Sequence, residues 1–275
     1  LFSEEMVSTW GNLSGLFITI VFAPMLIGLT FQREDRKESA VIAARHTIYS
    51  YVGSLLQWSI PVILTVLVLV PLFKVNDLFG SIVEIGWAGG HGTAAGMMEV
   101  YNNLGWEDGG SLAVTSATIG IVFGIVTGII LINYGVRKGK TTILQDPSEI
   151  QEDSNPDVIP YEKREASSVG TFNPDIVEGF AFHAGILGGA IAIGWVLQQF
   201  VDQFIHGIPL FPMAMLGGLI INMLIVNTKF FKMIDMATFG RMQGIALDFL
   251  IVGAVASVKV STVIEYAWPL LILMS

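Results

Sequence analysis

Six stretches of unbroken apolar character constrain this chain more than any single motif. They lie near residues 12–32, 48–73, 111–135, 177–200, 209–228 and 242–260, and a seventh begins near 262. A helix rises about 1.5 Å per residue, so about 20 apolar residues cross the hydrocarbon core of a bilayer. The chain has 275 residues, of which 53% are hydrophobic and only 13% charged. Soluble domains carry roughly 25% charged residues, so this chain lacks the polar surface that a soluble fold needs. The expectation is an all-α, polytopic integral membrane protein. There is no cysteine, hence no disulfide framework and no thiolate chemistry. The sequence opens without Met and stops within an apolar run, EYAWPLLILMS. It reads as a fragment with six full transmembrane helices and a truncated seventh.

Basic residues set the orientation. Arg33, Arg36, Lys37 and Arg45 follow the first span. Arg137, Lys138, Lys140, Lys163 and Arg164 follow the third, and Lys229, Lys232 and Arg241 lie between the fifth and sixth. The loops 33–47, 136–176 and 229–241 therefore belong on the cytoplasmic side of a bacterial inner membrane. Lys74 and Lys259 are the two exceptions.

That assignment constrains the tract 76–100, which contains GWAGGHGTAAGMM at 86–98. Spans 48–73 and 111–135 already supply the even number of crossings between two cytoplasmic loops. A third crossing at 76–100 would put Arg137 and Lys138 outside. The tract is expected to enter from the outer side and return, as a re-entrant hairpin. Irregular backbone at membrane depth is tolerated where it is buried in protein or lines a wet cavity. The competing reading is plain close packing through small residues. Parity disfavours it, and three glycines in the four residues GGHG should unwind a helix.

Residues 141–176 differ in composition. They carry prolines and many carboxylates, which supply most of the net charge of −9. The segment reads as an acidic cytoplasmic linker between two membrane halves, 1–140 and 177–275. The stretch RKESAVIAARHTI at 36–48 fits either an interfacial amphipathic helix or an extension of the next span. SGLFITIVFA (14–23) resembles LDFLIVGAVA (247–256) in pattern, with opposite crossing senses. That suits an inverted-topology repeat, which predicts a second hairpin beyond residue 275.

Enzyme signatures are missing: no GxxxxGK[ST], HExxH or GxSxG occurs. The four histidines have no metal-ligand spacing, no cofactor is implied, and the acidic chain is a poor partner for nucleic acid. Polar groups inside the spans are the remaining candidates. Successive amides at Gly89, Gly90 and Gly92 suit an anion nest, and carbonyls turned the other way suit Na⁺. His91 and Thr93 add a ring nitrogen and a hydroxyl. Thr115, Ser116 and Thr118 open the next helix, where Ser116 reads best as a cap. Asp248 is an intramembrane carboxylate, either functional or paired with Arg241 two turns earlier. Glu84 and Glu99 read as solvated near the outer surface, and Asn222 and Asn227 as interhelical hydrogen-bonding residues.

GWAGGHGTAAGM followed by LAVTSATIGIVFGIVTGIILINYGVRKG resembles the bacterial sodium/glutamate symporter family, as does ATFGRMQGIALDFLIVGAVASV later on. The resemblance implies a homodimeric inner-membrane carrier that couples glutamate uptake to Na⁺ by alternating access. It implies two inverted repeats, each with a re-entrant hairpin. Carried over by motif, Gly89, Gly90, His91, Gly92 and Thr93 would contact substrate or ion, and less directly Thr115 and Thr118. The family pattern continues as GGHGTG. Here Ala94 takes the last position, which leaves other carboxylates open as substrates. A passive channel and a membrane-embedded sensor are the rival classes.

Overall fold

The computed structural model describes residues 4–30, 36–141 and 161–275, apart from 162, 163, 165, 172, 174 and 257. Most of the acidic linker, including Lys163, and Arg33 lie outside the described residues. Every regular element among the described residues is helical. The protein is an all-α, multi-pass membrane protein.

The first helix, α1 (Glu4–Phe22), ends sooner than the apolar run suggests. Pro24 disfavours helix at the residue before it, and the chain then turns through residues 23–28 to Gly28, at φ +85°. Asn222 holds this turn: its Oδ1 accepts from Gly28 N at 2.9 Å, and its Nδ2 donates to Leu29 O at 3.0 Å. The expected interhelical role of Asn222 is realised here, as a clamp on a turn.

Helix α2 (Arg36–Leu64) is continuous from the basic segment, so 36–48 extends the span and is not a separate interfacial helix. Pro61 sits inside it. A π-helical stretch, Thr65–Leu69, and α3 (Val70–Phe73) carry it to Lys74. Three short helices follow: α4 (Ser81–Trp87), α5 (Gly90–Gly96) and α6 (Met98–Asn103). The long α7 (Gly109–Arg137), α8 (Gly179–Val201), α9 (Leu210–Ile225) and α10 (Met236–Ala256) come next, then α11 (Val260–Glu265) and α12 (Ala267–Met274). Four segments are long and apolar enough to cross a membrane: Ala40–Phe73, Gly109–Arg137, Gly179–Val201 and Met236–Ala256. Leu13–Phe22 and Leu210–Ile225 are apolar but shorter, and the expected seventh span is broken at Tyr266. Ile48, Leu55, Leu67, Ile125, Ile129 and Leu131 project from α2 and α7 without protein cover, as side chains facing lipid do.

Two apolar clusters organise the interior. One joins Ile18, Phe79, Ile82, Ala94, Leu112 and Leu250; the other joins Ala23, Ile27, Leu187, Ala190, Ala214 and Phe239. Lipid tails are as apolar as leucine, so helices in a bilayer gain from close backbone approach rather than from escape from water. The α8–α9 pair shows this. A Cβ on Gly217 would run into the Ala190 carbonyl oxygen, and one on Gly194 into the Ala214 backbone. Helices α1 and α10 pack antiparallel: Gly253 lies beside Trp10 and Ser14, Phe17 stacks on Phe249 at 5.7 Å, and Gln243 Nε2 donates to Val21 O at 2.8 Å.

A polar joint ties the start of α8 to the start of α10. The buried His183 ring accepts from Asp235 N at Nε2, 2.8 Å, so its Nδ1–H donates to Gly179 O at 2.7 Å. Asp235 caps α10, accepting from Thr238 N at 3.0 Å and Thr238 Oγ1 at 2.6 Å. It also accepts from Val169 N at 3.3 Å. Burial alone would raise the Asp235 carboxyl, but these bonds outweigh it and hold it below its ordinary value of 3.8.

Two outcomes are expected. Gly217→Ala should cost about 1–3 kcal/mol, the usual range for overpacking, in thermal unfolding in detergent. Gly188→Ala, at an open position, should be nearly neutral. Because the folded Asp235 pKa is depressed, its contribution is complete above the unfolded value and fades as pH falls through the lower folded value. Asp235→Asn should therefore flatten the acid limb of a stability-versus-pH curve while leaving its shape near neutrality unchanged.

Candidate functional site: the glycine-rich hairpin

The segment between α3 and α7 folds back on itself. Asn76 starts it, its side chain accepting from Leu78 N at 2.9 Å. Helix α4 runs out along α7, the chain turns at Ala88–Gly90, and α5 and α6 return. The two ends meet at Ser81 and Tyr101, whose hydroxyls lie 2.7 Å apart. Ser81 Oγ already donates to Leu78 O at 2.6 Å, so the Tyr101 hydroxyl is the donor in this pair. Trp106 seals the base, edge-on to Tyr101 at 5.0 Å and tilted against Phe79 at 6.2 Å.

Glycine is required at the tip for two different reasons. Gly90 has φ +66°, a conformation that L side chains rarely adopt, although the space around it is open. Gly89 is crowded instead: a Cβ there would lie 2.6 Å from Ile85 O and 2.5 Å from Thr93 Cβ. Further along, Gly92 rests against Ile18 and Leu250, so the returning arm touches both α1 and α10.

His91 and Thr118 come together across the tip. His91 Nε2 lies 3.0 Å from Thr118 Oγ1. The threonine hydroxyl donates to Val114 O at 3.3 Å, so Nε2 carries the proton and donates to Thr118. The imidazole Nδ1 is then an acceptor. Thr118 is nine residues into α7, about 13 Å along its axis, which sets the depth the tip reaches. Gly89, Gly90, His91, Gly92 and Thr93 therefore cluster with Thr118, with His91 and Thr93 half-buried.

The other expected residues sort differently. Thr115 is half-buried and its hydroxyl donates to Ser111 O at 2.9 Å, one turn back on its own helix. Ser116 is not a cap, since α7 begins at Gly109; it is fully buried beneath Gly86. Asp248 is exposed on α10, two residues from Leu250 and so on a different face from the hairpin contact. Neither it nor Arg241 forms an ion pair; among the described residues the ion pair is Lys259–Asp108 at 4.0 Å. Glu99 is exposed as expected, but Glu84 is not simply solvated: its Oε2 is enclosed and has no hydrogen-bond partner.

No group of three His, Cys, Asp or Glu suited to a metal occurs among the described residues. Carbonyl and hydroxyl oxygens, which Na⁺ prefers, are not part of that count. A separate cavity of about 290 Å³ lies at the α8–α10 joint, lined by Thr171, Glu178, His183, Thr238 and Arg241. Its ring nitrogens and the Thr238 hydroxyl are already engaged. Sequence reasoning did not find the Ser81–Tyr101 closure or the His183–Asp235 joint. Each depends on a partner 20 or more residues away, which local pattern does not reveal.

Tyr101→Phe removes the donor that closes the hairpin. It should cost about 1 kcal/mol of stability and raise amide exchange at residues 81–103 more than in α8. Equal exchange in both segments would mean that the closure does not hold the hairpin.

Neither a curated relative nor a solved structure matches the chain. A family model, sodium/glutamate symporter, matches residues 54–275, from within α2 through the hairpin and on past α12 to Ser275. That span covers the hairpin, both polar joints and all the long helices after α2, and on it the chain belongs to the sodium/glutamate symporter family.

Proposed function

We propose that this chain forms part of a carrier that moves glutamate, or a similar acidic amino acid, into the cell together with Na⁺ by alternating access. Symport of this kind is the activity of the family; the substrate and the mechanism for this chain are our reading. One observation carries it: a glycine-rich turn is held beside Thr118 by His91, within a hairpin whose ends are tied at Ser81 and Tyr101. A hairpin closed at its base brings backbone amides and carbonyls to membrane depth without leaving its arms unpaired.

In this reading 76–100 enters the membrane from the outer side and returns. The amides of Gly90, His91 and Gly92 and the Thr93 hydroxyl face the substrate carboxylates, and carbonyls of the same turn complete the shell of Na⁺; the Gly89 and Thr93 amides donate within the hairpin, to Glu84 O and Gly89 O. His91 fixes the turn through Thr118. Thr115 stands one turn of α7 before the His91 contact. Asp248, exposed on α10, serves only if another part of the carrier closes over it.

The antiparallel packing of α1 on α10 supports the inverted-repeat reading, because the two similar decapeptides lie at the crossing. The halves 1–140 and 177–275, joined by the acidic stretch 141–176, are then the two repeats. A homodimer in a bacterial inner membrane, with the basic loops inside, completes the proposal. Nothing covalent occurs; the work is differential binding in two conformations. Na⁺ and substrate must raise each other's affinity by the same factor.

The test is uptake of labelled glutamate into proteoliposomes under an inward Na⁺ gradient. Na⁺-dependent accumulation is expected. His91→Ala and Thr118→Val should each lower kcat/KM by about tenfold, the equivalent of about 1.4 kcal/mol. Accumulation of a dicarboxylate without an amino group, and none of glutamate, would replace the substrate. Flux without accumulation would indicate a channel, and binding without flux a sensor.

A further inference from the structure

Glu84 presents a problem that the hairpin tip does not solve. One oxygen of its carboxylate is enclosed by protein with no hydrogen-bond partner, and no cationic side chain is paired with it among the described residues. An unpaired charge in such a place is costly unless something neutralises it.

The register identifies what lies opposite. A Cβ on Gly80 would sit 2.6 Å from the Pro61 carbonyl oxygen and 2.7 Å from Val62 Cα, so the start of α4 is in backbone contact with α2. The chain reverses between the two helices, so one turn further along α4, at Glu84, corresponds to one turn back along α2, at Gln57. Helical side chains lean toward their own N-terminus, which carries the Glu84 carboxylate to the level between Gln57 and Pro61. Proline has no N–H, so Pro61 leaves the Gln57 carbonyl without its intrahelical donor. Ser54, Gln57, Pro61 and Thr65 form the less exposed stripe of α2 that faces the hairpin. The register thus puts a carboxylate and a freed main-chain carbonyl at one level.

We propose that the interface between α2 and α4 holds a monovalent metal cation, coordinated by the Glu84 carboxylate and the Gln57 main-chain carbonyl. Oxygen ligands select a hard cation, and a single carboxylate balances a single charge. Glu84 Oε2 is enclosed by protein, so the occupant is an ion rather than an amino acid. This site is separate from the turn at Gly89–Thr93 and does not depend on it. An ion here would brace the outward-running hairpin arm against α2, so occupancy would govern whether the hairpin is held or free to shift.

The test uses the purified protein in detergent, melted in NaCl, KCl or choline chloride at matched ionic strength. A ligand that binds only the folded state raises the melting temperature by mass action. Na⁺ or K⁺ should raise it by a few degrees over choline. Glu84→Gln, which keeps the shape and removes the charge, should reduce the increment to what the tip turn alone contributes. Pro61→Ala restores an N–H to engage the Gln57 carbonyl; it should weaken the apparent ion affinity by about tenfold and still fold, even if Glu84→Gln does not. Gly188→Ala, at an open position on α8 away from both sites, should leave the increment in place. No increment over choline in the unaltered protein would overturn the proposal, as would an increment undiminished in both Glu84→Gln and Pro61→Ala. An increment lost in His91→Ala but kept in Glu84→Gln would place the ion at the tip, overturning this site while leaving the transport reading intact.

Discussion

Close backbone approach through glycine is the contact on which the rest of this structure depends. Inside a bilayer, burying a leucine against another helix gains little over burying it in lipid, so packing has to come from atoms that lie nearer than side chains normally permit. Gly217 on Ala190, Gly194 on Ala214 and Gly218 on the Ala23 carbonyl lock α1, α8 and α9 together. Gly80 on Pro61 and Gly86 on Ser116 and Ala117 do the same for the hairpin arm between α2 and α7. Replace these by larger residues and the helices separate, carrying with them every polar contact that needs the close register.

The polar contacts then follow a consistent logic. Each is a place where the helical ladder is interrupted and something must replace it. Asn222 clamps the turn after α1, and Asp235 with His183 closes the starts of α8 and α10. Ser81 and Tyr101 close the base of the hairpin, and His91 with Thr118 braces its tip. Hydroxyls elsewhere bond back to their own helix, as Thr19 does to Gly15 O and Thr115 to Ser111 O. The exceptions are enclosed atoms without a partner: Glu84 Oε2, Thr65 Oγ1, Ser116 Oγ and the indole nitrogens of Trp87 and Trp106. In a medium that penalises unpaired polar atoms, those are the places where a ligand has something to gain.

The membrane class and the family were legible before any coordinates. The apolar runs fix the membrane class because hydrocarbon thickness sets a length that few soluble helices need. GGHGT followed by ATIGIVFG carries the family. The glycines of GGHG did mark a break, which falls at Ala88–Gly90, but His91 and Gly92 lie within the helix Gly90–Gly96 and not in unwound backbone. Ser116 and Glu84 went the other way. Ser116 looked like a cap because its helix was expected to begin near it, but the helix starts at Gly109 and buries it. Glu84 looked solvated because a carboxylate near a loop normally is.

What the sequence by itself determined is therefore one-dimensional: which segments are apolar, which loops are basic, and where the backbone must break. Those properties depend on composition over a short window, and the bilayer reads them directly. The tertiary structure alone decided which residues meet. Tyr101 reaching Ser81, His183 reaching Asp235, Asp248 left on an open face and Glu84 enclosed without a partner all depend on the register between distant helices. That register is set by where glycines allow backbones to touch, a sum of many weak contacts that no local pattern of residues encodes.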